Sequence, residues 1–174
     1  MTAGAPWAAG WISDGPARLA RLQEQVGAGL PSPGLDLTEA SLVPLWSSAR
    51  RQFTRRAPGG PVDPTTLPAW FTDPRAWRPK WWDDRTVWLA DGLIGSLAEA
   101  LLHHTPGARW GVAHDETDPE SYFHEGQPVL LGLAVSEAHL WTSMSIVAGR
   151  VWEGTDDDRD LARLFAYLTG RAGT

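Results

Sequence analysis

The sequence contains no cysteine and no asparagine, and only one of its fifteen basic residues, Lys80, is a lysine. The absence of cysteine excludes a disulfide scaffold, a cysteine nucleophile and any zinc site built on thiolates. No stretch approaches the ~20 apolar residues of a membrane span, and the first fifteen residues show neither a basic residue nor a signal-peptide core. We therefore expect a cytoplasmic protein without a membrane partner. The scarcity of amino acids with AT-rich codons is typical of high-GC bacterial genomes.

Negative charge is concentrated near the C-terminal end. The chain of 174 residues has a formal net charge of −6, and residues 111–174 contain eleven acidic but only four basic side chains. Nucleic acid and anionic lipid repel such a chain unless one face is basic. We therefore expect no nucleic-acid partner.

The length and composition are those of one globular domain. A chain of this size buries roughly 70% of its unfolded surface in one core, and 43% of the residues are hydrophobic. We expect a single domain over residues 1–174, with an irregular N-terminus over residues 1–14.

Hydrophobic periodicity predicts several helices. One begins near Gly15 and Pro16, and another is capped by Thr38 and continues towards Phe53, with Pro44 interrupting its second turn. The clearest runs from Asp83 or Asp84 to about residue 104 and is apolar around most of its circumference, which predicts a buried central helix. The last is expected to begin with Thr155 as its cap.

Two apolar segments predict a small sheet. Residues 109–113 and 128–135 have the composition of strands, and residues 122–123 are a candidate third strand. Residues 140–151 fit a helix but also suit a strand. The predicted fold is α+β, with the central and flanking helices packed on one face of a small, mainly antiparallel sheet.

Residues 57–84 contain six prolines and four tryptophans. Proline at this density is incompatible with a regular helix or a central strand, whereas the tryptophans argue against a disordered linker. We predict a long ordered segment that wraps over the domain.

The run from Leu35 through Thr38 to Leu42, the central helix with Ala98 and Glu99, and the strand with Trp110 together resemble a family of small uncharacterised proteins, a domain of unknown function, from high-GC bacteria. The resemblance covers most of residues 35–135. Ala98 stands where glycine is more usual in that family. The family implies a fold and no catalytic site.

Tryptophan and arginine provide the candidate interface. Both residue types are enriched at the centres of protein interfaces. The candidate residues are Trp70, Trp77, Trp81 and Trp82 of the wrapping segment and Arg50, Arg51, Arg55 and Arg56 at the end of the second predicted helix. The structural alternative is that the tryptophans are buried and the arginines pair with the acidic third of the same chain.

The preferred interpretation is a non-enzymatic cytoplasmic protein-interaction module, such as an immunity-like, adaptor or regulatory protein encoded beside its protein partner. It needs no cofactor, and its oligomeric state stays open. One alternative is a small hydrolase that uses Glu99 and His103 as an acid/base pair, or a metal held by His114, Glu116 and His124. Another is a small-ligand domain with a tryptophan-lined pocket under the wrapping segment.

Overall fold

The computed structural model describes residues 6–26, 36–73 and 81–171 of the chain. These residues form seven α-helices, a 3₁₀ turn over Pro64–Thr66 and one two-stranded sheet. The helices are α1 (Ala8–Ser13), α2 (Gly15–Val26), α3 (Glu39–Arg50), α4 (Ala69–Thr72), α5 (Asp84–His104), α6 (Leu140–Glu153) and α7 (Asp160–Leu168), and the strands are β1 (Arg109–Val112) and β2 (Pro128–Leu131). The predicted α+β class is confirmed.

Helix α5 is the buried central helix that its apolar circumference predicts. It begins after Asp83, whose carboxylate accepts a hydrogen bond from the Thr86 amide at 2.8 Å. Helices α2, α3, α6 and α7 all contact it, so the core consists mainly of helices packed on a helix. Leu97 and Leu101 are completely buried in this core.

Helix α3 begins where its cap predicts but ends early. Thr38 Oγ1 accepts a hydrogen bond from the Ser41 amide at 3.2 Å. Pro44 is accommodated within the helix, which ends at Arg50. Phe53 follows in the next segment and packs edge-on against Trp46 at 5.7 Å, so its place in the apolar pattern reflects core packing outside the helix.

Two predictions at the chain ends were wrong. The N-terminal region is not irregular throughout, because α1 buries Ala8 and Trp11. Thr155 does not cap the last helix, which begins five residues later. Gly154 ends α6 with a left-handed φ of 68°, and the Asp157 amide donates to the carboxylate of Asp160, so the intervening acidic residues form a connection between helices.

The sheet is shorter than predicted. Residues 122–123 lie in a turn segment, so the third strand is absent from the described chain. Strand β2 ends at Leu131, because Gly132 adopts a left-handed φ of 78° that breaks the extended conformation. Residues 140–151, which suited either element, lie in α6.

The described parts of the wrapping segment are anchored to the body of the protein. Residues 54–56 and 81–83 run antiparallel, with the Arg56 amide donating to the Trp81 carbonyl at 2.8 Å and the Asp83 amide donating to the Thr54 carbonyl at 3.3 Å. The one-turn helix α4 lies between these two segments in sequence and buries Trp70. No helix in the described parts of the chain has both the length and the apolarity needed to cross a bilayer.

Candidate binding surface

The structure separates the tryptophans of the predicted interface. Trp70 and Trp82 are each 1% exposed, whereas Trp81 is 49% exposed. Trp77 lies outside the described residues. Trp81 is therefore the member of this group whose side chain is exposed in the described structure.

The exposure of Trp81 follows from the extended backbone around it. Neighbouring side chains of an extended segment point to opposite sides. Trp82 points inward and packs against Trp152 at 5.7 Å and Phe53 at 6.5 Å. Its neighbour Trp81 consequently points outward, while its carbonyl remains bonded to the Arg56 amide.

Trp81 lies where two surface grooves meet. The first has a volume of about 870 Å³ and is lined by residues 55–60, Val62, Phe71 and Trp81. The second, about 450 Å³, lies between Trp81 and a face of α6 that includes Ile146 and Gly149. Val62 is 45% exposed and Ile146 is 66% exposed, so apolar side chains flank Trp81 in both grooves. We call Arg55, Val62, Trp81 and Ile146 the Trp81 surface.

The four candidate arginines have two different roles. Arg50 forms ion pairs with Asp156 and Asp158, as the structural alternative expects. Arg56 forms an ion pair with Asp84 and donates to the Trp82 carbonyl at 3.2 Å. These two guanidinium groups hold the fold together.

Arg51 and Arg55 remain exposed on the surface. Arg51 donates to the hydroxyl of Ser47 at 2.8 Å. The Arg55 guanidinium lies 5.8 Å from the centre of the Trp152 ring, and within the described chain neither arginine has an ion-pair partner. Arg55 therefore brings a positive charge to the first groove.

A separate cavity, lined by several tryptophans, lies beside α1. It has a volume of about 610 Å³ and includes Trp7, Trp11 and Trp88 together with Leu67 and Pro68 of the wrapping segment. This is the kind of pocket that the small-ligand alternative predicts. Trp88 is only half-buried, since it lines this opening.

Asp91 forms a buried polar cluster at the base of this cavity. Its carboxylate accepts hydrogen bonds from the indoles of Trp11 at 2.6 Å and Trp70 at 2.8 Å, and from Arg18 Nε at 3.2 Å. Burial raises the pKa of Asp91 and lowers that of Arg18, because both charges lose water, while their mutual attraction opposes both shifts. This cluster was not predicted from the sequence. Its only signal was one acidic residue in an otherwise apolar stretch.

The candidate acid/base pair is not assembled. Glu99 is half-buried, and one of its carboxylate oxygens lies next to Gly15. His103 is exposed, with its ring 4.8 Å from that of His104. Among the described residues no hydrogen bond joins Glu99 to His103, although one helical turn separates them.

The candidate metal ligands make contacts with different neighbours. His114 Nδ1 lies 2.8 Å from a carboxylate oxygen of Glu125, whereas Glu116 is exposed. The His124 ring stacks on the His139 ring at 3.9 Å. No group of three or more His, Asp or Glu side chains within the described ranges is arranged to hold a metal ion.

His139 belongs to a polar cluster that sequence analysis did not find. Tyr122 donates to Glu137 at 2.6 Å, and the Tyr122 oxygen lies 3.2 Å from His139 Nε2. Burial and the neighbouring carboxylate raise the pKa of Tyr122. Burial and the adjacent His124 lower the pKa of His139. The cluster joins the 113–127 connection to the start of α6, and contacts across fifteen or more residues leave no local pattern in the sequence.

Comparison of the chain with protein-family models, curated proteins and solved structures finds no significant match in any of the three. The resemblance to small proteins of high-GC bacteria stays a prediction.

Proposed function

We propose that the protein is a non-enzymatic, cytoplasmic protein-interaction module that binds its partner at the Trp81 surface. The observation that supports this most strongly is the half-exposed Trp81 at the junction of two grooves, with Val62 on one side and Ile146 on the other. Clustered exposed apolar side chains of this kind mark interaction sites more often than ordinary surface.

The anchoring of Trp81 favours binding. A segment whose backbone is already held in place loses less conformational entropy when a partner covers it. The Trp81 backbone is hydrogen-bonded to Arg56, and the adjacent Trp82 fixes the segment in the core. Trp81 therefore presents a large apolar surface at a small ordering cost.

The charges near the groove indicate the chemistry of the partner. Arg51 and Arg55 are exposed, and Arg55 lines the first groove beside the apolar side chains. We expect a protein segment with an aromatic or aliphatic anchor next to an acidic side chain. The anchor would occupy the groove, and the carboxylate would pair with Arg55. An immunity-like, adaptor or regulatory role is consistent with such binding.

Selection from a displayed library of random peptides tests this proposal. We expect wild-type protein to enrich peptides that contain acidic and large apolar residues together. Trp81→Ala and Arg55→Glu should each weaken binding at least tenfold. Tyr167→Ala is the matched control, because Tyr167 is a 67% exposed aromatic residue of α7 outside both grooves.

Each variant is first shown by circular dichroism to retain the native fold. Enriched peptides that bind the Trp81→Ala variant as tightly as the wild type would contradict the proposal. So would a selection that enriches no peptide family.

Small-ligand binding is a second candidate, favoured by the tryptophan-lined cavity beside α1. Its volume of about 610 Å³ lies within the range of sites for small molecules. A fragment screen by thermal shift distinguishes the two functions. A ligand of this cavity loses affinity in Trp88→Ala and keeps it in Trp81→Ala.

A further inference from the structure

The hydrogen-bond pattern of the sheet defines which backbone groups face outward. Leu130 exchanges two backbone hydrogen bonds with Ala138, at 3.2 and 2.9 Å, on the side of β2 that faces away from β1. Leu130 is paired with Trp110 in the register of the sheet. Trp110 and Leu130 therefore form a non-hydrogen-bonded pair. Because hydrogen-bonded and non-hydrogen-bonded pairs alternate along antiparallel strands, Trp110 and Val112 both direct their N–H and C=O groups away from β2.

In the described part of the chain, no other segment pairs with this outer edge of β1. Within the described chain no hydrogen bond is made by the outward backbone groups of Trp110 or Val112. Arg109 and Val112, at the two ends of the strand, are both exposed, the latter to 43%. Unpaired edges are templates for strand addition, and natural proteins usually cover them or interrupt them.

We infer that β1 pairs antiparallel with β1 of a second copy of this chain, across a two-fold axis at Gly111, to form a four-stranded sheet. In this register Trp110 of each copy lies opposite Val112 of the other. Both residues carry outward donors and acceptors, so the two pairs form four backbone hydrogen bonds. The edge is thus complementary to itself, as a two-fold interface requires.

The side chains fit the same register. Trp110 and Val112 share one face of the strand, on which Trp110 packs edge-on against Trp11 at 5.6 Å. Pairing places the exposed Val112 of one copy beside the half-buried Trp110 of the other. Aromatic and β-branched cross-strand pairs of this type stabilise sheets.

Gly111 suits the position on the axis. The two central residues of such a pair approach to about 4.5 Å between Cα atoms. A Cβ at residue 111 would lie 2.5 Å from Leu131 Cδ1, so any larger residue there would force the Leu131 side chain to shift. No side chain therefore projects at the point where the two strands come closest.

Charge favours the antiparallel arrangement. Arg109 begins the strand, and Asp115 lies just beyond its other end. Two backbone amides lower the pKa of Asp115, which keeps it anionic. Antiparallel pairing brings Arg109 of each copy towards the acidic end of the other, whereas parallel pairing brings like charges together.

Sedimentation velocity over a micromolar to millimolar concentration series tests the inference, together with hydrogen exchange of backbone amides. We expect a concentration-dependent dimer, since four residues a side make a small interface. The amides of Trp110 and Val112 should become protected as the dimer forms. This result is independent of the Trp81 surface, whose residues lie outside β1.

Val112→Pro is the decisive variant, because the Val112 N–H takes no part in pairing with β2. Proline is tolerated at such an edge position but cannot donate to a new strand. We expect Val112→Pro to remain folded and to lose the dimer, and Val112→Thr, which keeps the donor and the β-branched shape, to retain it. A wild type that stays monomeric over the whole series overturns the inference. A dimer that persists in Val112→Pro, or that leaves the Trp110 and Val112 amides unprotected, also overturns it.

Discussion

At the scale of single residues, the surroundings of His139 determine where its proton lies. Tyr122 donates its hydroxyl hydrogen to Glu137, so the Tyr122 oxygen accepts from His139 Nε2. Nδ1 of His139 is buried without a hydrogen-bond partner in the described structure. A second proton would create a buried N–H donor with no acceptor beside the stacked His124 ring. The neutral Nε2–H form is therefore favoured.

The first prediction concerns pH. The pKa of His139 is lowered from its ordinary value of 6.5 in the folded protein, so below this pH the unfolded state binds the proton more readily. The free energy of unfolding should fall as the pH decreases through this region, with a slope of up to about 1.4 kcal/mol per pH unit for this group. Urea denaturation between pH 8 and pH 5 measures it.

His139→Gln should flatten this pH dependence, because it removes the titrating group and keeps a side-chain N–H donor. His103→Gln is the control, since His103 is exposed on the surface of α5. An unchanged slope in His139→Gln would show that protonation of His139 is not coupled to folding.

The Asp91 cluster illustrates what a buried charge requires. The Asp91 carboxylate accepts three hydrogen bonds. Two come from Trp11 and Arg18, which lie 73 or more positions away in the sequence, and the third comes from Trp70. The Arg18 guanidinium also lies over the Trp11 ring, 3.6 Å from its centre. Removing one partner of a buried ion pair costs about 3–5 kcal/mol because it leaves the other charge unpaired. The cluster therefore fixes α1, α2 and α4 against α5.

At the scale of elements, the predicted boundaries are accurate where local chemistry is decisive. The Asp83 cap and the apolar run that follows define α5, and Thr38 defines the start of α3. Local chemistry was misleading at Thr155, because Asp156 and Asp158 after it form long-range ion pairs with Arg50 instead of starting a helix. Helix α1 has no side-chain cap and is stabilised by burial of Trp11, which a local pattern does not reveal.

The candidate site could be predicted only in part. The sequence identifies Trp81 and Arg55 by residue type, but Trp82 has the same type and the opposite environment. Which of two adjacent tryptophans faces outward depends on the pairing of residues 54–56 with residues 81–83. That pairing joins segments about 26 positions apart, as the hydrogen bond from Arg56 to the Trp82 carbonyl shows. Hydrophobic periodicity, which is a local pattern, does not predict it.

The second prediction concerns the close contact between α2 and α5. A Cβ at Gly92 would lie 2.7 Å from Leu22 Cβ, an atom that cannot move without its backbone. Gly92→Ala should therefore destabilise the protein by about 1–3 kcal/mol, which exceeds the helix-propensity gain of up to about 1 kcal/mol. Chemical denaturation measures the difference.

Gly149→Ala provides the matched control within α6. A Cβ at Gly149 has no neighbouring atom within 4 Å, so the substitution gains helix propensity without a clash. We expect it to stabilise the protein by up to about 1 kcal/mol. Equal effects of the two substitutions would show that α2 does not approach α5 as closely as described.

At the scale of the whole molecule, the acidic C-terminal third is balanced by arginines that join different elements. Asp160 is buried and pairs with Arg150 at 2.9 Å and Arg163 at 3.3 Å. Arg50 of α3 reaches Asp158 at 2.6 Å. These pairs connect α3, α6 and α7, so much of the excess negative charge in this region stabilises the fold and is not available for binding a basic partner.

The third prediction is that folding and binding depend on different members of the Trp81–Trp82 pair. Trp82 is 1% exposed and packs among aromatic rings, so Trp82→Ala should cost about 3–5 kcal/mol of unfolding free energy. Trp81 is 49% exposed, and Trp81→Ala should cost less than about 1 kcal/mol. Urea denaturation of both variants provides the comparison.

The two residues are identical and adjacent, so side-chain size and helix or strand propensity are the same in both substitutions. The difference between their unfolding free energies therefore reports the difference in burial. If Trp81→Ala destabilises the protein as strongly as Trp82→Ala, both side chains are part of the core and the Trp81 surface is not free to bind. If the costs differ as expected, Trp81→Ala is a folded variant in which the loss of peptide binding can be assigned to the surface itself. The architecture then separates two environments within one dipeptide: the inward Trp82 holds the wrapping segment on the core, and the outward Trp81 lies at the surface where we propose that a partner binds.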